Sequence, residues 1–113
     1  LVCFLLMPSL INAQILCKDL PSSFSNYSNA LHVIGKTDFL IKDKVSTSRS
    51  SWINGASFSS CDGKNGFLIV QIGNKNYIHQ NVPIAIWKSF KSSSSFGSFY
   101  NKYLKNKYRL KLM

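Results

Sequence analysis

The sequence predicts a small α+β fold, in which an antiparallel sheet of three to four strands has two short amphipathic helices packed on one face. The chain of 113 residues has room for at most one small domain. Hydrophobic residues make up 45% of it and aromatic residues 13%, which suffices for a modest core and is too apolar for a disordered polycation. Apolar residues recur with strand spacing up to residue 80 and with helical spacing beyond residue 83, so strands precede helices.

Three strand segments build the predicted sheet. Residues 52–59 are expected to form the first strand, and a turn rich in glycine and asparagine separates them from an apolar strand at residues 67–72. Gly73 and Asn74 suit a two-residue hairpin loop, because type II′ turns have glycine at the first central position. The return strand is expected at residues 75–80.

Side chains of the return strand alternate between the two faces of the sheet. Tyr77 and His79 are therefore expected on one face and Ile78 on the other. Tyr77 and His79 are the better candidates for an exposed contact, unless a helix covers that face and buries them. The period of two returns at residues 108–112, which predicts a short closing strand at the sheet edge.

Two amphipathic helices are predicted after the strands. Pro83 suits the first turn of one helix, because its fixed φ matches helical backbone. The apolar side of this helix comprises Pro83, Ile84, Ile86, Trp87 and Phe90. Ser95 is a suitable N-cap for the other helix, whose apolar side comprises Phe96, Phe99, Tyr100, Tyr103 and Leu104. This spacing predicts that most of these aromatic rings pack in the core rather than stack on a ligand.

The segment at residues 14–50 is rich in serine and asparagine and is predicted to be an N-terminal extension. Its two apolar patches, Ala30–Ile34 and Phe39–Ile41, suggest a loose hairpin. The serine-rich stretch at residues 46–51 is typical of a linker. The domain proper is therefore expected at residues 51–113.

An apolar leader precedes the extension. Residues 1–11 are uncharged and Asn12-Ala13-Gln14 follows, a pattern typical of the hydrophobic region and cleavage site of a secretory signal peptide. We therefore predict a signal peptide at residues 1–13 and a secreted or periplasmic protein. A buried N-terminal strand or helix is the alternative that the residues leave open.

The cysteines agree with export. Cleavage after Ala13 removes Cys3 and leaves Cys17 and Cys61, an even pair in an oxidising compartment. A disulfide between Cys17 and Cys61 is predicted, with two unrelated thiols as the alternative. The histidines and cysteines lack the close spacing of zinc ligands, so no metal site is expected.

The charge of the chain is strongly positive and unevenly distributed. There are 14 lysines and arginines against 4 acidic residues, a net charge of +10, and no acidic residue follows Asp62. Cations on one surface raise a potential that attracts nucleic acid or an anionic membrane or envelope polymer. Ordinary solubilising lysines are the alternative interpretation. The predicted contact residues are Lys88, Lys91, Lys102, Lys105, Lys107, Arg109 and Lys111, together with Tyr77 and His79.

Three motifs in the second half of the chain resemble the KTSC domain, a small module found at the C-terminus of some lysyl-tRNA synthetases and as a stand-alone bacterial protein. The motifs are Tyr77–Pro83, Ser95–Asn101 and Lys107–Arg109, and the resemblance spans Ser51–Leu112. It implies RNA binding, which is a suggestion attached to the family. The central Tyr-x-Tyr of the family is Tyr77-Ile78-His79 here, so a role that needs both tyrosines does not transfer to this chain.

The sequence favours binding over catalysis. The only carboxylates are Asp19, Asp38, Asp43 and Asp62, so the second half offers no pair for acid–base chemistry. We expect an exported, monomeric, non-catalytic KTSC-like module that binds an anionic polymer or envelope surface without a cofactor. The alternative from another class is a structural or protein-interaction module of the cell envelope, with no nucleic-acid role.

Overall fold

The described part of the chain has the predicted α+β fold. A computed structural model describes residues 14–113, so the predicted signal peptide and Cys3 lie outside the described residues. The strands are β1 (Ile15–Leu16), β2 (Thr37–Asp38), β3 (Ile41–Val45), β4 (Ile53–Ser60), β5 (Asn65–Ile72) and β6 (Lys75–Pro83). The helices are α1 (Tyr27–Lys36), α2 (Ile84–Ser92) and α3 (Phe96–Phe99), which continues as a π-helical segment, Tyr100–Leu104.

Strands β3 to β6 form one antiparallel sheet in chain order. The three predicted strands are confirmed as β4, β5 and β6, and the β5–β6 hairpin has the predicted loop. Gly73 starts that loop with φ of 59°, the left-handed value that a type II′ turn requires at this position. The fourth strand, β3, comes from residues 14–50, so that segment and the remainder of the chain share the sheet.

Strand β3 lies at one edge of the sheet, and its charged side chains differ between the two faces of the sheet. Lys42 and Lys44 are exposed, whereas Asp43 is oriented toward α2. The Asp43 carboxylate accepts hydrogen bonds from the indole N–H of Trp87 at 2.9 Å and from the ammonium group of Lys91 at 2.6 Å. The Lys91 contact, with the Trp87 bond, holds the pKa of Asp43 below its usual value.

One face of the sheet is covered by α2, α3 and the π-helical segment, as predicted. Pro83 immediately precedes α2, and the Ser95 hydroxyl caps α3 by accepting from the Ser98 N–H at 3.2 Å. Trp87 and Phe90 are fully buried against Phe58 of β4, with the Trp87 and Phe58 rings stacked at 5.7 Å. The buried side chains of this core are Ile53, Ala56, Phe58, Leu68, Val70, Val82, Trp87, Phe90, Phe96, Tyr100 and Leu104.

The opposite face of the sheet is also covered, and here the predicted hairpin is wrong. Ala30–Ile34 lies in α1, because the Asn26 side chain caps a helix by accepting from the Asn29 N–H at 2.7 Å. Ala30 and Ile34, one helical turn apart, are both buried in the second core. The members of this core are Phe24, Ala30, Ile34, Phe39, Phe67, Ile78 and Leu110.

The predicted closing strand at residues 108–112 is replaced by two isolated bridges. Arg109 pairs with His79 of β6, and Leu112 pairs with Phe24. A continuous ladder does not form because Asn81 has a φ of 58° and Tyr108 a φ of 53°, so neither is extended at the point where the strands meet. The tail nevertheless follows the β6 edge, where the Gln80 N–H donates to the Tyr108 carbonyl at 2.7 Å.

The predicted disulfide between Cys17 and Cys61 is present, with an S–S distance of 2.03 Å. It joins the 3₁₀ turn at Cys17–Asp19 to the end of β4 and so ties the N-terminal segment to the sheet. Within residues 14–113, no helix is both long and apolar enough to cross a membrane.

Candidate functional site

A cleft of about 470 Å³ lies between β6, the π-helical segment and the tail that follows it. Its volume is within the range of ligand pockets. Aromatic, amide and basic side chains line most of it, and none of the lining residues, all within the described range, is acidic. They are Tyr27, Trp52, Ile72, Tyr77, Ile78, His79, Tyr100, Asn101, Lys105, Asn106, Lys107, Arg109, Leu110 and Leu112.

Three partly exposed aromatic residues line the cleft. Tyr27 of α1 is 40% exposed, Trp52 is 38% exposed immediately before β4, and Tyr77 of β6 is 36% exposed. Tyr27 is held in place by its hydroxyl, which donates to the Ile78 carbonyl at 3.5 Å. Large apolar rings left this accessible, on three different elements around one cavity, are available to contact a ligand.

A buried pair, His79 and Tyr100, also lines the cleft. The Nδ1 atom of His79 lies 2.8 Å from the Lys107 carbonyl, which only accepts, so Nδ1 has the proton and donates. In the neutral ring Nε2 then accepts from the Tyr100 hydroxyl at 3.2 Å. The His79 and Tyr100 rings are in edge-to-face contact, with their centroids 5.5 Å apart. Tyr100 makes a second edge-to-face contact with Trp52, at a centroid distance of 6.1 Å.

Burial keeps both members of this pair neutral. Desolvation lowers the pKa of His79 below 6.5, although the hydrogen bond to the Lys107 carbonyl acts in the opposite direction. Burial raises the pKa of the Tyr100 hydroxyl above 10.0, and the neighbouring Tyr77 and Tyr27 hydroxyls raise it further. The two neutral side chains therefore form part of the cleft wall and add no charge to it.

Acidification should destabilise the protein through His79. The unfolded chain binds a proton near pH 6.5, whereas folded His79 has a lowered pKa, so stability is fully present above pH 6.5 and declines below it. The free energy of unfolding in urea is therefore expected to fall between about pH 7.5 and about pH 5. The pKa values of Asp43 and Asp62 are lowered from 3.8, so their contributions are lost only at more acidic pH.

The control is His79→Gln, which has no proton to gain in this range. It should be less stable than the natural protein at about pH 7.5, because the flexible glutamine side chain loses the packing of the imidazole against Tyr100 and does not reproduce the geometry of its two hydrogen bonds. It should also lose less stability on acidification. An equal pH dependence in both proteins would contradict the assignment to His79.

The basic residues predicted to bind an anion divide into two groups. Lys105, Lys107 and Arg109 line the cleft together with Tyr77 and His79. The structure places the other four, Lys88, Lys91, Lys102 and Lys111, outside its lining. Of these, Lys91 is occupied by Asp43 at 2.6 Å, and the Lys102 ammonium lies 5.3 Å from the Tyr103 ring centroid.

Tyr77 and His79 differ in exposure. Tyr77 is 36% exposed, as expected of a contact residue, but His79 is 5% exposed because the π-helical segment covers that part of the strand. The prediction that most helical aromatic rings pack in the core is confirmed, since Trp87, Phe90, Phe96 and Tyr100 are buried and Phe99 packs against them. Tyr103 is the exception, at 40% exposed.

The cleft lining also includes four residues that were not predicted from the sequence: Tyr27, Trp52, Asn101 and Asn106. Tyr27 and Trp52 are far from the C-terminal tail in sequence. They reach the same cleft only because the chain packs on both faces of the sheet. For Asn106 the residue type was informative, because asparagine tolerates left-handed backbone better than most residues. Its φ is indeed 62°. Tyr100 begins a π-helical segment, a feature that frequently marks functional sites and has no clear sequence signature.

A metal site is not supported by the geometry. Among residues 14–113, no group of three histidine, cysteine or acidic side chains is close enough to hold an ion. Both cysteines of this range are consumed by the disulfide.

Residues 62–108 match the family model described as the KTSC domain. No curated protein and no solved structure gives a significant match to the chain. The matched range runs from the β4–β5 turn to Tyr108, so it includes β6, the π-helical segment and two of the cations that line the cleft, Lys105 and Lys107, and ends one residue before the third, Arg109.

Proposed function

We propose, for a chain that contains a KTSC domain at residues 62–108, that it is a non-catalytic module whose cleft binds a single-stranded polynucleotide. The observation that supports this most directly is the cleft lining, in which exposed aromatic rings and three cations occur without a carboxylate among the described residues. The net charge of +10 adds long-range attraction for any polyanion.

Aromatic rings and cations recognise different parts of a polynucleotide. Lys105, Lys107 and Arg109 are exposed and accessible to a phosphate, and the Lys107 ammonium, which donates to the Lys102 carbonyl at 3.0 Å, retains two further donors. Tyr77 and Trp52 offer ring faces on which a base stacks, and such stacking contributes about 1–3 kcal/mol per base. Proteins that bind single strands without sequence preference combine these two kinds of contact.

The shape of the cleft favours a single strand over a duplex. A volume of about 470 Å³ suits one or two bases turned into it, and the faces of paired bases in a duplex are not accessible for stacking. The Asn101 and Asn106 amides supply donors and acceptors for base edges or sugar hydroxyls. We therefore expect binding to unpaired RNA or DNA and weak binding to double strands.

Neutralising two cations of the cleft should weaken binding. In Lys105→Gln/Arg109→Gln, affinity for an oligouridylate at about 50 mM salt is expected to fall at least about tenfold. The slope of log affinity against log salt should fall by about 1.4, since each lost phosphate contact contributes about 0.7 for single strands. Fluorescence anisotropy titrations at several salt concentrations measure both quantities.

The matched control removes the same charge elsewhere. Lys64→Gln/Lys88→Gln changes two exposed lysines outside the cleft lining and should leave affinity within about threefold of the natural protein. Equal losses in the two double variants would mean that net charge, and not the cleft, drives binding. The absence of salt-sensitive binding in the natural protein would overturn the proposal and favour the envelope interaction module.

The contribution of base stacking to affinity distinguishes a polynucleotide ligand from an anionic surface. Tyr77→Ala removes an aromatic face without changing charge, so it should weaken oligouridylate binding about tenfold. Binding to vesicles of anionic phospholipid, which offer no base, should change little. Tight vesicle binding with no affinity for the oligonucleotide would contradict the proposal.

A further inference from the structure

A second cleft of about 280 Å³ adjoins the first. The two share Trp52 and Asn101 in their linings, so a ligand in one cleft can continue into the other past these two side chains. The lining of the second cleft differs from that of the first, because serine hydroxyls and one arginine, Arg49, replace the tyrosines and lysines. No acidic side chain lines it within the described residues.

Arg49 is fixed in position before any ligand binds. Its two terminal nitrogens donate to the Ser94 and Ser93 carbonyls, each at 3.1 Å, and its guanidinium lies 4.3 Å from the centroid of the Phe96 ring. A guanidinium has five N–H groups, so these two bonds leave further donors free. Arg49 is exposed, which leaves those donors accessible to an anion.

Trp52 forms a fixed boundary between the clefts. The backbone of Gly97 packs so closely on the indole that a Cβ at this position would lie 2.7 Å from the ring. Tyr100 contacts the same indole edge to face at 6.1 Å. These two contacts fix the orientation of an indole ring that lines both clefts.

We infer that the second cleft is a phosphate subsite for the same strand that occupies the first, with the ligand crossing Trp52. This inference rests on the proposed function. A base on Trp52 leaves its neighbouring phosphodiester beside the Arg49 guanidinium, which forms paired hydrogen bonds with phosphate oxygens. The serine hydroxyls add neutral donors to the same oxygens.

The arrangement favours a phosphodiester over a neutral sugar. Serine and asparagine side chains serve either ligand, but a preformed arginine without a nearby carboxylate is stabilised most by an anion. A strand that spans both clefts would occupy them with about four nucleotides. This number is at the lower end of the site sizes of single-strand binding folds.

Probe length tests the inference directly. Competition titrations with an oligouridylate dinucleotide, tetranucleotide and octanucleotide should show affinity rising beyond the dinucleotide and levelling near the tetranucleotide. In Ser98→Asp the added carboxylate enters the second cleft and should lower octanucleotide affinity about tenfold while leaving dinucleotide affinity unchanged. Ser98 lies in the first turn of α3, where an aspartate is favourable, so the variant should fold.

The controls separate failure of this inference from failure of the proposed function. Ser98→Asn adds a similar volume without charge and should retain octanucleotide affinity. Arg49→Gln should reproduce the loss seen with Ser98→Asp, and a melting temperature recorded for each variant identifies unfolding. If the natural protein binds no oligouridylate, the proposed function itself is wrong. If it binds them with no dependence on length and Ser98→Asp has no effect, only the second subsite is excluded.

Discussion

Replacing both Cys17 and Cys61 with serine should lower the free energy of unfolding by about 4 kcal/mol. The disulfide joins residues 44 positions apart, and closing a loop of this size removes many conformations from the unfolded chain. It also holds the 3₁₀ turn near β4, and so stabilises the segment that supplies α1 and Phe24 to the second core. Urea unfolding of the oxidised protein and the variant, monitored by circular dichroism, measures the difference.

Reduction of the natural protein provides the control. Adding a thiol reductant should bring its stability down to that of Cys17→Ser/Cys61→Ser, while the variant should not respond to reductant. A loss smaller than about 1 kcal/mol would contradict the prediction, because it would mean that the second core holds the N-terminal segment without the bond.

Trp87→Ala should destabilise the protein by about 4 kcal/mol. Trp87 is 1% exposed, and its ring stacks between Phe58 at 5.7 Å and Phe90 at 6.0 Å, so the truncation leaves a cavity in the centre of the first core. It also removes the N–H donor that binds Asp43, which weakens the connection between α2 and the edge strand β3. Denaturant unfolding at neutral pH measures this loss.

Trp87→Phe separates packing from hydrogen bonding. It keeps an aromatic ring between Phe58 and Phe90 but removes the donor to Asp43, so it should cost about 2 kcal/mol. Equal losses for the alanine and phenylalanine variants would mean that the hydrogen bond to Asp43, and not the stacked ring, dominates the contribution of this residue.

Strands β4 to β6 and the helices that follow them were predictable because their signals are local, whereas the strand predicted at residues 108–112 did not form. Pro83 and Ser95 mark helix starts, Gly73 marks the hairpin, and apolar spacing identifies the buried rings. The error at Ala30–Ile34 has a physical explanation. A short apolar patch is compatible with strand or helix, and the Asn26 cap together with burial on the second face selected the helix.

The candidate site was predictable only in part. Lys105, Lys107 and Arg109 were identified from charge, and Tyr77 from strand alternation. The exposure of His79 could not be settled from alternation, because its burial depends on how the segment Tyr100–Leu104, whose spacing predicts a helix but not its π-helical form, packs on the strand. Only tertiary packing places Tyr27 and Trp52 in the cleft lining. The order of residues along the chain gives no information about such packing.

The open side of the main sheet has a consequence for solubility. Within residues 14–113, β3 has a neighbouring strand on one side only, so its other side presents unpaired backbone groups of the kind that template cross-β aggregates. Lys42 and Lys44 of this edge strand are exposed, and two such strands placed edge to edge would bring their ammonium groups into repulsion. This charge pattern is therefore expected to disfavour polymerisation of the folded chain through its own sheet, even at high protein concentration.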